Sequence, residues 1–422
     1  MSIKNIHSKL VWLFVVVLLP SIVSLETYSW GRYVFFLIAL AVEIIYVSQN
    51  NGRIRLSLGV YQKMLVVFSL YIGASALWSM NPSDSLSKMV TLVNITICFY
   101  PIYIFYHDCD SVDHLINAIK WGSVLICMYT ILYVGLNAMI RAASAENLRM
   151  ANSFSNANTL GLCAALVIFL QTWQLLYNRT KKWEAMACFP AFIVLGASQS
   201  RKAIVFILIG LFMLVVLRYC KTKNMINTIF GFLIALIALA GLVYLASRAK
   251  VFRGLFERME SMIEYYIGSE RGKVNHSTQI RNEMKKLGVE WWMKRPILGI
   301  GIGNPHILAE KYIDFDAYLH DNYVELLCGG GVVGTLLYYV MHVYCVRRLF
   351  QLRENDFSLF SLAIVWCALI LVMDYGMVTY YSKLDAFYIM TIFLIVEELK
   401  QCEKKVILPK KGIPYDLETV NS

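Results

Sequence analysis

Apolar residues occur along this chain in long blocks, separated by polar and charged segments. Most blocks are long enough for an α-helix to cross the hydrocarbon core of a bilayer, and they lack the alternation of a membrane β-strand. Because backbone polar groups must be satisfied internally in lipid, helices are expected. The pattern predicts an all-α polytopic membrane protein with about 12 transmembrane helices. The predicted spans are 10–25, 33–48, 64–79, 90–106, 121–140, 158–177, 185–199, 202–219, 226–247, 322–346, 356–375 and 384–398.

One connection is much longer than the others. Residues 248–320 are largely hydrophilic and separate the ninth and tenth predicted spans. Within this loop, 253–267 has the pattern of an amphipathic helix, and a second helix is predicted to begin near Ser277 and to end at Pro296. The loop is therefore expected to have helical structure of its own.

The second loop helix has one apolar face. The residues that recur on that face are Ile280, Met284, Leu287 and Trp291. Tryptophan at the end of such a helix is typical of the lipid–water boundary. We expect the helix to lie along the outer leaflet, where a long-chain lipid substrate would be met. The alternative is an ordinary loop helix that packs on the bundle.

The distribution of basic residues predicts the orientation. Lys and Arg are concentrated in the segments that are cytoplasmic if the N-terminus is inside, and they are sparse in the short outer loops. Both termini are therefore expected in the cytoplasm and the 248–320 loop outside. The chain is 58% hydrophobic with a net charge of +11. Contacts between basic residues and anionic lipid account for this charge without a nucleic-acid partner.

The predicted organisation is one transmembrane domain, 1–398, followed by a basic cytoplasmic tail, 399–422. The tail is polar and contains Pro409 and Pro414, which predicts disorder. The cytoplasmic loops are short, and the sequence lacks the GxxxxGK[S/T] motif that cradles nucleotide phosphates. These features argue against ATP-driven work by this chain.

His320 stands where the long loop enters the span 322–346. An imidazole titrates near neutral pH, so His320 is suited to accept a proton from a sugar hydroxyl. Asp321 could raise the basicity of this imidazole, and Asn322 could cap the helix or bond within the bundle. The alternative is a boundary histidine whose hydrogen bonds are simply satisfied.

Two arginines are predicted on the same outer side as His320. Arg201 follows Gln199 in a tight outer hairpin between two spans, and Arg281 lies on the second loop helix. A guanidinium group is permanently charged and matches phosphate oxygens, so the pair could hold a pyrophosphate leaving group. Gln199 could support this site. Taken singly, either arginine could instead be a solvated or headgroup-facing charge.

Two other motifs carry weaker predictions. Asp314 and Asp316 form a D-x-D, which holds a divalent metal in many nucleotide-sugar glycosyltransferases, but so short a motif arises often by chance; no metal site is predicted. The glycine-rich segment 298–305 lacks the strand-to-helix context of a dinucleotide site. A close-packed loop near the site is the favoured interpretation.

The order of these features along the chain resembles a known family. The residues that carry the comparison are Ser198-Gln199-Ser200-Arg201, Arg281, the segment 294–304, His320-Asp321 and Gly331-Val332-Val333-Gly334, with a further echo at 153–158. Together they resemble the O-antigen ligase and O-antigen/capsule polymerase superfamily of bacterial envelope proteins. The resemblance covers nearly the whole chain, because the span count and the position of the long loop also agree. Asp321 departs from the ligase pattern, which has an amide or a serine after the histidine.

The resemblance implies transfer of a glycan from undecaprenyl pyrophosphate at the outer leaflet of the bacterial cytoplasmic membrane, with no cofactor, nucleotide sugar or obligatory metal. It implies that His320 acts as general base on the acceptor hydroxyl. Arg201 and Arg281 would bind the departing pyrophosphate, and direct displacement would invert the anomeric centre.

Several functions remain open at this stage. The first expectation is a polymerase that builds O-antigen, capsule or exopolysaccharide from lipid-linked repeat units, alongside a flippase and a chain-length regulator. The second is an O-antigen ligase, which moves finished polymer to lipid A-core. A lipid-linked-oligosaccharide flippase or other transporter belongs to a different class; it would call for a charged central cavity and internal symmetry, which the sequence does not indicate. A purely structural membrane protein is the remaining alternative.

Overall fold

The chain folds into helices, as its apolar blocks predict. The computed structural model describes residues 3–24, 31–55, 57–144, 155–221, 225–249, 252–257, 259–260 and 276–407, and within these ranges it contains helices and no strand. The predicted all-α fold class is therefore confirmed. Most of the predicted helix 253–267 and the tail residues 408–422 lie outside the described residues.

The helices are numbered in chain order. They are α1 (Ile3–Ser24), α2 (Gly31–Gln49), α3 (Val60–Ser75), α4 (Pro82–Asp108), α5 (Val112–Val134), α6 (Leu136–Ser144), α7 (Ala157–Leu176), α8 (Cys188–Ser198), α9 (Arg201–Cys220), α10 (Met225–Arg248), α11 (His276–Lys294), α12 (Pro305–Ile313), α13 (Asn322–Leu352), α14 (Phe357–Asp374) and α15 (Lys383–Ile407). A 3-10 helix, Lys182–Ala187, leads into α8.

The helices of the described ranges can be compared with the predicted spans by their length and apolar character. Within the described ranges, eight helices are long and apolar enough, and Tyr33–Gln49 and Val60–Ser75 are shorter apolar helices. The predicted span 185–199 is divided between the 3-10 turn and the 11-residue α8. The last predicted span belongs to α15, which carries several charges and continues past 398 to Ile407. The predicted count of about 12 is not confirmed.

Capping side chains set the starts of several helices. Asn81 caps α4 by accepting a hydrogen bond from Ser83 N, and Pro82 occupies the first helical position, where its missing N–H costs nothing. Asp356 caps α14 in the same way. The sequence thus fixes where these helices begin on either side of the membrane domain.

The second loop helix is α11, but its apolar face is covered by protein. Met284 on this face is buried and clusters with Ile300, Leu308 and Leu319, and Trp291 packs against the same cluster. The stripe was expected to face the outer leaflet. Instead α11 packs on α12 and α13, as in the alternative interpretation, because these elements supply the apolar partners that lipid would otherwise provide.

A glycine-rich loop locks onto a break in α13. Gly331 interrupts the helix with φ 61° and ψ −166°. The freed backbone is satisfied by the loop, since Val332 N donates to Pro296 O at 2.8 Å and Gly301 N donates to Gly329 O at 2.8 Å. A Cβ on Gly331 would lie 2.2 Å from Ile297 O. The predicted close-packed loop is therefore present, and it brings α11 and α12 against the start of α13.

We expect Gly331→Ala to destabilise the protein by about 2 kcal/mol or more, because alanine is strained at this backbone conformation and its Cβ meets a carbonyl oxygen. Gly241→Ala in α10 is the matched control, since nothing lies within 4 Å of its added Cβ. Thermal unfolding in detergent, followed by tryptophan fluorescence, should show a lower melting temperature for the first variant alone. Equal melting of Gly331→Ala and the natural protein would contradict the described packing.

Candidate active site

Three of the predicted site residues line one cleft. Arg201 begins α9, Arg281 lies on α11, and His320 comes just before the N-cap of α13. The cleft has a volume of about 370 Å³, and Lys202 and Lys285 also line it. We call it the cationic cleft. Residues far apart in sequence are thus brought together on one side of the bundle.

The α8–α9 hairpin positions Arg201. Gln199 ends α8 in the left-handed conformation, with φ 47°, and Ser200 caps α9 by accepting a hydrogen bond from Ala203 N. The buried Gln199 side chain donates to Ala142 O at 2.8 Å. Gln199 therefore supports the hairpin from behind and ties it to α6, while Arg201, the first residue of α9, reaches the cleft.

Arg281 and Lys285 are one helical turn apart on α11, so they lie on the same side of it. Lys285 is held firmly: its Nζ lies 2.9 Å from Asp321 Oδ2 and donates to Tyr375 O at 2.8 Å. The same ammonium stands 3.6 Å from the centroid of the Tyr375 ring. One edge of the cleft is thus built from a lysine whose partners come from two other elements.

His320 carries a neutral imidazole in this field. Its backbone has φ 58°, so the chain turns sharply before α13, and its ring lies 4.4 Å from the Tyr318 ring. Burial, and then the positive charges of Arg281, Lys202 and Lys285, lower the pKa of His320 to about 4. The imidazole is therefore uncharged at neutral pH and able to accept a proton.

Asp321 lies between His320 and α13, where its carboxylate has partners of its own. Its carboxylate caps α13 by accepting hydrogen bonds from Tyr323 N at 3.0 Å and Val324 N at 3.1 Å, and it pairs with Lys285. The negative charge is thereby offset locally, and the cations of the cleft lower the His320 pKa. The structure thus gives Asp321 a capping and ion-pairing role, and its effect on the basicity of His320 stays a prediction.

Asn322 joins the start of α13 to the turn after α14. Its Oδ1 accepts hydrogen bonds from Thr379 N at 3.0 Å and Tyr380 N at 3.2 Å. Its Nδ2 donates to Tyr339 Oη at 3.0 Å and to Asp374 Oδ2 at 3.2 Å. The side chain is fully buried, so Asn322 acts through the bundle and not on a ligand in the cleft.

The 375–380 turn, which Asn322 anchors, binds two lysines of the cationic cleft through its carbonyl groups. Tyr375 O accepts a hydrogen bond from Lys285, and Gly376 O accepts one from Lys202. The position of both lysines therefore depends on the 375–380 backbone, which Asn322 anchors. Sequence reasoning missed these two lysines as site residues, although Lys285 stands four residues after Arg281 and Lys202 directly follows Arg201.

The D-x-D carboxylates lie outside the cationic cleft. Asp314 is the left-handed C-cap of α12, and Asp316 Oδ1 lies 2.8 Å from His306 Nδ1. The other ring nitrogen of His306 lies 3.2 Å from Asp84 Oδ2. Within the described residues, no group of three or more acidic, Cys or His side chains is arranged to bind a metal.

The arrangement suits a ligand that is anionic at one end and apolar at the other. Arginine and lysine side chains supply fixed positive charge, while Val205, Val372 and Met373 supply apolar wall. Phosphate groups on a long hydrocarbon chain have this combination. A neutral base beside such an anion site could deprotonate a hydroxyl that approaches it.

Part of the chain matches a known protein family. Residues 186–339 match the family model described as O-Antigen ligase. The matched range includes Arg201, Arg281 and His320, and it ends before the 375–380 turn. The match confirms the predicted resemblance to the O-antigen ligase and polymerase superfamily. No curated protein matches the chain.

We expect Asn322→Ala to destabilise the protein more than a typical surface change, by about 1–3 kcal/mol for each buried group left without a partner. Asn355→Ala is a graded control, because Asn355 Nδ2 donates to Leu399 O at 2.9 Å in a partly buried position. Melting temperatures of the two variants in detergent test this. A smaller loss for Asn322→Ala than for Asn355→Ala would show that Asn322 does not anchor the turn.

Proposed function

From the match to the O-antigen ligase family, we propose that this chain is a polysaccharide polymerase of the bacterial cytoplasmic membrane. It transfers glycan from undecaprenyl pyrophosphate to another lipid-linked repeat unit at the outer leaflet. The observation that supports this most strongly is the cationic cleft, where a neutral His320 stands among Arg201, Arg281 and two lysines.

The pyrophosphate of the donor occupies the cationic cleft in this proposal. Arg201 and Arg281 offer paired N–H donors that match phosphate oxygens, and Lys202 and Lys285 add point charges. As the bond to the sugar breaks, negative charge grows on the departing oxygen. Fixed cations stabilise this charge more than they stabilise the bound donor, so they lower the barrier.

His320 is the general base of the proposed reaction. It takes the proton from the acceptor hydroxyl while that oxygen forms a bond to the anomeric carbon of the donor. The bond from this carbon to the pyrophosphate oxygen breaks, and its electron pair leaves with undecaprenyl pyrophosphate. Attack from the face opposite the leaving group inverts the anomeric centre.

Donor binding would make His320 a stronger base. Burial is the largest cause of its lowered pKa; the charges of Arg281, Lys202 and Lys285 lower it further, and these are the side chains that the pyrophosphate would neutralise. A bound anion therefore raises the pKa of the imidazole from about 4 towards its ordinary value. His320 therefore stays unprotonated while the site is empty, and it becomes a stronger base for the acceptor hydroxyl when the donor is bound.

An O-antigen ligase is the second candidate, because the matching family carries that description. Donor chemistry would be the same, and the acceptor would be lipid A-core. A flippase would use the cations to bind the same lipid but would have no need of a neutral base beside them. The products formed in cells distinguish the three functions.

We expect Arg201→Lys to fail almost as badly as Arg201→Ala, with polymer reduced to about one hundredth, because lysine keeps the charge but loses the bidentate contact. A strain that lacks the gene is complemented with each variant and with His320→Ala. Surface and undecaprenyl-linked glycans are then separated on gels. Arg253→Lys is the control, since this exposed arginine pairs with Glu257 outside the cleft.

If the protein is a polymerase, strains with inactive variants should show single repeat units on the gel instead of a ladder of polymer lengths. Long polymer stranded on undecaprenyl pyrophosphate would instead identify a ligase. Unchanged glycans in the deletion strain would contradict both enzymes and favour transport. Normal function of Arg201→Lys would remove the proposed pyrophosphate contact of Arg201.

A second prediction concerns the protonation of His320. Diethylpyrocarbonate modifies neutral imidazole, so His320, with a pKa near 4, should react at pH 5 as readily as at pH 8. Farnesyl pyrophosphate should raise this pKa and thus protect His320 more at pH 5 than at pH 8. Mass spectrometry of the modified protein measures both.

His306 serves as the internal control. Burial lowers its pKa, but its hydrogen bonds to Asp316 and Asp84 prevail and raise the pKa above the ordinary value. His306 should therefore lose reactivity between pH 8 and pH 5 with or without pyrophosphate. If farnesyl pyrophosphate protects His320 from diethylpyrocarbonate equally at both pH values, the ligand only shields the ring. The proposed change in basicity would then be wrong.

A further inference from the structure

A second cleft with positive charge lies at the same end of the bundle as His320. It has a volume of about 350 Å³, and Lys88 of α4 and Lys383 of α15 line it. Each lysine stands within the first two turns of its helix. Tyr381, Phe35, Thr91 and Asn94 also line this space, which we call the lysine cleft.

The lysine cleft combines ammonium groups with aromatic and amide side chains. Lys88 Nζ lies 3.7 Å from the centroid of the Tyr381 ring, and Lys383 Nζ lies 5.4 Å from that of Phe35. The carboxylates that interact electrostatically with Lys88 are Glu325 and Asp84, and neither lines the cleft. Two cations that face one partly apolar space are complementary to a phosphate on a hydrocarbon chain.

One chain segment connects the two clefts. Tyr375 and Gly376 line the cationic cleft, and Tyr381 and Lys383 line the lysine cleft. Between them lies a smaller cavity of about 100 Å³, which shares Met373 with the cationic cleft and Lys383 with the lysine cleft. The two anion sites are therefore neighbours along a single path.

The start of α13 is near both clefts. His320 lines the cationic cleft, and Glu325, in the first turn of the helix, interacts electrostatically with Lys88 of the lysine cleft. Transfer between two lipid-linked substrates brings two anionic headgroups to the protein, one on the donor and one on the acceptor. The lysines of the two clefts offer positive charge at two separate places near α13.

We propose that the lysine cleft binds the phosphate of the acceptor, a second lipid-linked glycan, while the donor occupies the cationic cleft. This inference rests on the proposed glycosyl transfer. In this proposal, Lys88 and Lys383 bind the phosphate of the acceptor. The polyprenyl chain of the acceptor leaves the cleft on the side where Phe36 is partly exposed.

The test uses the full chain in phosphatidylcholine nanodiscs. The donor is an undecaprenyl-pyrophosphate repeat unit whose non-reducing end is blocked, so it cannot act as acceptor. Two acceptors carry the same glycan: one on a short polyprenyl chain through a non-transferable pyrophosphonate, the other on a neutral alkyl chain. KM is measured for the donor and for each acceptor.

Lys383→Gln should raise the KM of the charged acceptor about tenfold, and change the KM of the neutral acceptor and of the donor by less than about twofold. Lys88→Gln should act in the same direction, and Lys88→Arg should restore binding. Lys311→Gln, an exposed lysine on α12 outside both clefts, should change nothing. Arg281→Gln should raise the donor KM instead.

Two results would overturn the inference even if transfer is observed: equal effects of Lys383→Gln on both acceptors, or no effect on either. If the natural protein transfers no glycan, the proposed function is wrong, and binding of fluorescent farnesyl phosphate then decides the site. Weaker binding to Lys383→Gln supports a phosphate site, and unchanged binding contradicts it. Displacement of the probe by phosphatidylglycerol at equal concentration would mean an ordinary lipid headgroup site and would also contradict the proposal.

Discussion

The hydrogen bonds of the Asn322 side chain are the constraint on which the cationic cleft depends. They tie the first residue of α13 to the turn after α14, and the carbonyl groups of that turn hold Lys202 and Lys285. A buried polar network is costly when a member lacks its partner, so it specifies one arrangement when complete. Two cations from two different helices are thereby placed beside His320, although neither is near it in sequence.

Burial, and then the charge of the same cations, explain why the base is neutral. Their charge lowers the pKa of His320, and an arriving pyrophosphate would offset that charge. Binding and basicity are therefore coupled by electrostatics alone, with no change of backbone structure required. The glycine-rich loop makes this possible sterically: because glycine lets the loop backbone contact the break at Gly331, α11 can approach the start of α13 and bring Arg281 to the cleft.

The sequence indicated three residues that share one cleft, but little of the cleft's geometry. Residue type and predicted outer-side position singled out Arg201, Arg281 and His320, which the structure brings together. Lys285 was not recognised, because a lysine on an amphipathic helix has the same pattern whether it faces solvent or a cleft. The predicted span count is not confirmed, because hydropathy counts apolar residues and does not show that the described helix α8 is only 11 residues long. The apolar stripe of α11 was ambiguous for a similar reason: protein and lipid partners require the same residues.

The most direct measurement is a cryo-electron microscopy structure of the protein with farnesyl pyrophosphate. Our account predicts both phosphates in the cationic cleft, with guanidinium nitrogens of Arg201 and Arg281 at hydrogen-bond distance, about 2.7–3.2 Å, and His320 facing the terminal phosphate. Pyrophosphate bound elsewhere, with Arg201 and Arg281 not in contact with it, would contradict the account.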